Sequence, residues 1–159
     1  MKAVKISNYG DADVLRLTDR EQKPAPAEGQ VLVKIHAAGV NFVDIYQRRG
    51  TYPVKLPFVP GLEASGVVEA VGNKVAGVRP GDRVAYTGRL GSYSEYVTID
   101  ADRLISIPQS LSFIEAAAIP LQGMTAHYLI HEYRKPGPGD TVLVHAAAGG
   151  VGLQLVQWA

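Results

Sequence analysis

The sequence predicts a mixed α/β chain: a turn-rich β portion first, then short helices, then one strand–turn–helix unit. Three observations predict it. Short apolar runs are cut by Gly and Pro, which together make up about a sixth of the 159 residues, against a typical ~12%. The character changes after Pro108, where an Ala-rich run replaces the strand-like segments. Finally, the apolar residues 142–145 pass through a glycine-rich turn into an apolar tail.

Taken in order, residues 2–6, 14–18 and 31–37 read as strands. In the third, Val31, Val33, Ile35 and Ala37 alternate with Leu32, Lys34 and His36, the period of a half-buried strand. Between the second and third, Pro24 and Pro26 cannot donate to a ladder, so residues 23–29 form a turn. Residues 63–71, 83–86, 92–99 and 104–107 read as further strands, and together they suggest a small barrel or sandwich. Ser112 and Glu115 have capping-box spacing, so a short helix is expected over 115–119, stopped by Pro120. A second helix is expected over 125–134, with Ala126, Leu129, Ile130 and Tyr133 on one face. The pattern Pro-Gly-Asp-x-Val occurs at 80–84 and 138–142, and each copy is expected to launch a strand.

Composition removes several function classes. Sixteen Lys and Arg against fifteen Asp and Glu leave a net charge of +1, without the clustered positive charge of nucleic-acid binding. Cysteine is absent, which excludes disulfides, thiol catalysis and thiolate metal sites. No signal-like or membrane-spanning apolar run is present, so a soluble cytoplasmic chain is expected.

The stretch from Val142 to Gly152 carries the most chemistry. An apolar strand enters a turn of small residues that opens a helix. Small residues let the backbone approach a pyrophosphate, while the helix N-terminus offers N–H groups and a favourable dipole. Ala147, Gly149 and Gly152 occupy the dinucleotide fingerprint positions, with alanine in place of the first glycine. A purely structural turn is the alternative. The sequence stops at Ala159, before the further parallel strands that a dinucleotide site needs, so the expectation is the front half of a two-domain enzyme.

With that context the residues 38–44 with Tyr46, 60–66, 81–84, 120–126 and 145–152 resemble, in order, the N-terminal half of the quinone oxidoreductases. These are the ζ-crystallin-like, zinc-free branch of the medium-chain dehydrogenase/reductase superfamily. The resemblance implies a GroES-like β-barrel catalytic domain over 1–122, and over 123–159 the first βα unit of a Rossmann coenzyme-binding domain. It implies NADPH as cofactor, a small quinone as substrate, no nucleic acid, no membrane, and a homodimeric parent protein. Where zinc alcohol dehydrogenases place Cys, His and Cys, this chain has Asn41, Leu62 and Leu121, so no catalytic metal is expected. His127 and His131 stand four apart on one helix, but no Glu follows His127 as in HExxH.

By the same resemblance Asn41, Tyr46 and Tyr52 are the catalytic candidates, lining the cleft where nicotinamide and substrate meet. Asn41 and Tyr46 also count as cofactor contacts, with Thr125 at the nicotinamide end and Ala147, Gly149, Gly150, Val151 and Gly152 around the pyrophosphate. The amide of Asn41 is both donor and acceptor, suited to a carboxamide or a quinone carbonyl. The tyrosines offer flat faces and hydroxyls, although a tyrosine in a β-domain more often has its body in the core and a wet hydroxyl. Glu63 is a buried-carboxylate candidate of either structural or functional kind, and Asp44 a candidate cap for the helix after Asn41. The expected reaction is hydride or single-electron transfer from NADPH to a quinone without metal. The alternatives are an inactive GroES-like fragment or interaction module, and a related metal-free enoyl or enal reductase.

Overall fold

The computed structural model describes residues 1–159, and its chain divides into two compact units, Met1–Ala118 and Ile119–Ala159. The first unit is built from seven strands: β1 (Ala3–Lys5), β2 (Arg16–Thr18), β3 (Gln30–Ala38), β4 (Glu63–Val71), β5 (Arg83–Thr87), β6 (Tyr96–Asp100) and β7 (Ile105–Ser106). Helix α1 (Phe42–Arg49) lies between β3 and β4, and α2 (Phe113–Ala117) follows β7.

β1 and β2 form an antiparallel ribbon, and the other five form an antiparallel sheet in the order β6-β3-β4-β5-β7. The edge strands β6 and β7 are joined by only four residues, three of them in the 3₁₀ turn Ala101–Arg103. Such a linker reaches roughly 12 Å, whereas the outer strands of a flat five-stranded sheet lie about 19 Å apart. The sheet therefore curls until its edges approach. The concave side is filled by Val31, Val33, Ala64, Val68, Val84, Tyr86, Val97 and Ile99, all buried. A smaller cluster of Ala85, Ile107 and Ala116 seats α2 on the sheet.

Most strand positions agree with the sequence pattern, and β4 coincides with the expected run. In β3, Val33 is buried, Lys34 and His36 are exposed, and Ile35 and Ala37 lie between, as alternation requires. Leu32 departs from it and is buried, next to a register shift against β4. A bulge adds one residue to one strand, so the inside–outside order slips there.

The second unit holds α3 (Pro120–His127), a π-helical turn Tyr128–Tyr133, and α4 (Gly150–Trp158). From α2 onward three expectations are corrected. The first helix runs over Phe113–Ala117, two residues early, because Ser112 is its N-cap and accepts from the Glu115 N–H at 3.2 Å. Pro120 opens a helix instead of only closing one. Its missing N–H falls in the first turn, where no helical acceptor exists. Residues 141–145 form no strand, because no neighbouring strand offers a ladder and a lone strand leaves its backbone groups unpaired. The two Pro-Gly-Asp turns nonetheless share one device. Asp82 accepts from the Arg79 N–H at 2.9 Å, and Asp140 from the Gly137 N–H at 2.8 Å.

Gly66 marks the tightest approach in the sheet: a Cβ there would sit 2.0 Å from the Lys34 carbonyl oxygen of β3. Gly66→Ala is expected to cost about 1–3 kcal/mol through forced strand separation. Gly137→Ala, whose new methyl meets nothing closer than 3.9 Å, serves as the control. Urea midpoints of the two variants check this, and equal midpoints would refute the close-contact account.

Candidate functional site

The first unit brings three expected residues to one helix and the loop after it. Asn41 is the N-cap of α1, in extended conformation, and its own N–H donates to the Asp44 carboxylate at 2.9 Å. Its side-chain Nδ2 donates to Glu63 Oε2 at 3.0 Å. Glu63 opens β4 and is 0% exposed, so Asn41 bridges a helix start to a buried carboxyl group. Room for that group comes from Gly39, where a Cβ would stand 2.2 Å from Glu63 Oε2 and 2.8 Å from the Ala117 carbonyl oxygen. Burying a carboxyl group is costly unless donors surround it, so these contacts fix the amide of Asn41.

Further along α1, Tyr46 is 41% exposed and Tyr52, just beyond the helix, is 54% exposed. Their rings meet edge to face, centroids 5.3 Å apart, and the Tyr52 N–H donates to the Tyr46 carbonyl at 3.1 Å. Two partly exposed aromatic faces therefore stand together near the helix whose first turn holds Asn41. Gly50 at φ 79° closes that helix and makes the bend between the two tyrosines possible.

Sequence reasoning missed the support beneath α1. Asp44, buried, also accepts from the Tyr93 hydroxyl at 2.8 Å, a contact spanning 49 residues. Gly61, at φ 88°, lets Ser92 and Tyr93 pack over it, since a Cβ would lie 2.0 Å from Ser92 Oγ. No local pattern signals such a pair. Burial, then the hydrogen bond to Asp44, pushes the Tyr93 phenol well above its ordinary value, and burial alone does the same to Tyr86.

In the second unit, Ala146 stands at φ 52° and its carbonyl accepts from the Gly149 N–H at 2.8 Å. Ala147 continues the turn, Gly149 is the extended N-cap of α4, and Gly150, Val151 and Gly152 form its first turn. The first helical bond runs from the Leu153 N–H to the Gly149 carbonyl at 2.8 Å. The N–H groups of Gly150, Val151 and Gly152 precede it and have no acceptor within the helix. Gly152 is sterically required, since a Cβ would meet the Ala146 carbonyl oxygen at 2.2 Å. Thr125 lies on α3 with its hydroxyl donating to the Leu121 carbonyl at 2.7 Å, one turn back.

This curled antiparallel sheet belongs to the alcohol dehydrogenase GroES-like domain family, which matches residues 27–109. The chain resembles particular members across nearly its whole length. A quinone oxidoreductase of Pseudomonas aeruginosa is 44% identical over 161 residues, covering 99% of this chain and 49% of that protein. The Escherichia coli quinone oxidoreductase solved with NADPH is 41% identical at a TM-score of 0.93, covering 99% of this chain and 49% of the other. A mycobacterial protein solved with NADPH reaches 44% identity and a TM-score of 0.95, with the same coverage of 99% and 49%. The chain spans about half the length of the relatives it matches.

The buried Tyr86 and half-buried Tyr93 make alkaline stability a test of this geometry. Below about pH 10 folded and unfolded tyrosines are both neutral, and stability is complete. Above it the unfolded chain releases protons that folded Tyr86 and Tyr93 retain, so stability falls as pH rises. Tyr93→Phe is expected to flatten part of that loss while lowering stability near neutrality, since Asp44 loses a donor. Urea midpoints measured from about pH 8 to pH 11 check both signs.

Proposed function

We propose that this chain supplies the substrate-side domain and the opening coenzyme unit of a cytoplasmic, homodimeric NADPH:quinone oxidoreductase that works without metal. The observation that carries the reading is the Asn41 amide, held by buried Glu63 at the start of the helix that presents Tyr46 and leads to Tyr52. Similarity along nearly the whole of this chain to about half the length of its relatives, two of the three comparison proteins bearing the name quinone oxidoreductase, supports it.

The residues fit the cofactor. From Ala146 to Gly150 no side chain is larger than a methyl, so the turn into α4 adds little bulk of its own, and the Gln122 side chain packs against Gly150, where a Cβ would stand 2.6 Å from its amide oxygen. The three N–H groups of α4 without helical acceptors suit a pyrophosphate, and the helix dipole favours that charge. NADPH, when bound, supplies the hydride. The chain's own residues then bind and orient. The α4 N-terminus holds the phosphates, and Thr125 approaches the nicotinamide end. Asn41 orients a carboxamide or a quinone carbonyl, with its Nδ2 already donating to Glu63. Tyr46 and Tyr52 give a flat ring a surface, and the Tyr52 hydroxyl donates to a substrate oxygen as negative charge develops there. The product gains aromaticity, so weak acid catalysis suffices. Metal-free reduction is favoured because Asn41, Leu62 and Leu121 offer no imidazole or thiolate where zinc relatives hold their ligands.

The test is NADPH oxidation with a quinone, catalysed by the longer protein that carries this chain. Tyr52→Phe is expected to lower kcat/KM for the quinone by about tenfold, the loss of one transition-state hydrogen bond, with NADPH affinity unchanged. Absence of NADPH-dependent quinone turnover, with reduction of an α,β-unsaturated carbonyl in its place, would move the assignment to the enoyl reductases.

A further inference from the structure

His127, the last residue of α3, and His131, in the π-helical turn, stand four residues apart on continuous helical backbone. Their rings lie 4.4 Å apart between centroids, tilted by 49°. Both side chains are exposed. Two imidazoles bound to one ion at ~2.0 Å, with an angle near 90–110° between them, have centroids roughly 4.5–5 Å apart. The pair therefore stands within a few tenths of an ångström of chelating separation before any ion arrives.

We propose that His127 and His131 form a surface chelating site for a borderline divalent transition metal. Cu²⁺ binds tightest, with Zn²⁺ and Ni²⁺ behind it, the order expected for imidazole ligands. No third imidazole or carboxylate joins the pair to complete a cluster, so water fills the remaining positions. The site is thus open and binds reversibly. It is independent of the reaction proposed above, and it departs from the sequence expectation that no metal is held.

The structure also supplies a reporter. Trp158, the only tryptophan, lies in ring contact with both imidazoles, at 6.2 Å from His127 and 6.3 Å from His131. A paramagnetic ion on the pair quenches it strongly, while Zn²⁺ competes without comparable quenching. The experiment titrates Cu²⁺ into the chain and follows Trp158 fluorescence, with Zn²⁺ added afterwards. The expected result is saturable quenching at one equivalent, reversed by a large excess of Zn²⁺. His127→Ala and His131→Ala should each raise the midpoint by at least about tenfold, while His145→Ala leaves it unchanged. Far-UV circular dichroism of each variant separates ligand loss from unfolding. Quenching that never saturates, or a midpoint equal in folded His131→Ala and the parent chain, overturns the site.

Discussion

A carboxyl group with no access to water has to be met by donors from the protein, and Glu63 is such a group. Its position at the first residue of β4 governs much of what surrounds it. Residue 39 must be glycine, because any side chain there collides with the carboxyl oxygen and with the backbone of α2. Residue 41 must carry a short side chain with a donor, and asparagine also suits the start of a helix. Once Asn41 is fixed, the helix origin is fixed, and with it the direction in which Tyr46 points. One buried side chain thus ties the sheet, α1 and α2 to a common reference.

The same logic continues one layer out. Asp44 receives the Asn41 N–H and the Tyr93 hydroxyl, so the helix is anchored at its N-terminus from two sides. A helix of eight residues is too short to be stable by its own propensity. Its stability comes from these buried polar contacts and from the αL stop at Gly50. The partly exposed tyrosines need little support of their own. Their backbones are held by a helix that cannot slide, and the rings rest on each other.

Much of this was legible in the sequence because it is local. The alternation in β3 apart from Leu32, the apolar run of β4 and the Ser112–Glu115 capping box are set by neighbours a few residues apart, and each is present, with the helix that the box opens starting two residues early. Asn41, Tyr46 and Tyr52 were singled out by resemblance, and the structure has them at the start of α1, within it and in the loop after it. What was not legible depends on distant partners. Tyr93 reaches Asp44 across 49 residues, and Gly39 owes its identity to a carboxyl group 24 positions away. Residues 141–145 carry the composition of a strand, but a strand exists only where another offers it hydrogen bonds, and none is present.

The glycine-rich turn shows how the backbone accommodates alanine at the first fingerprint position. The rule asks for glycine first because the chain turns sharply there. In this chain the left-handed conformation falls on Ala146, one residue before the fingerprint position, at a cost of roughly 1–2 kcal/mol. Ala147 is not among the positive-φ residues, so its methyl group is tolerated. The demand that cannot be relaxed lies at the other end, where Gly152 passes 2.2 Å from an oxygen for any added Cβ. Substitution of the first glycine is therefore a local strain that the turn absorbs. Substitution of the last would push α4 off the turn and carry its N–H groups away from any phosphate.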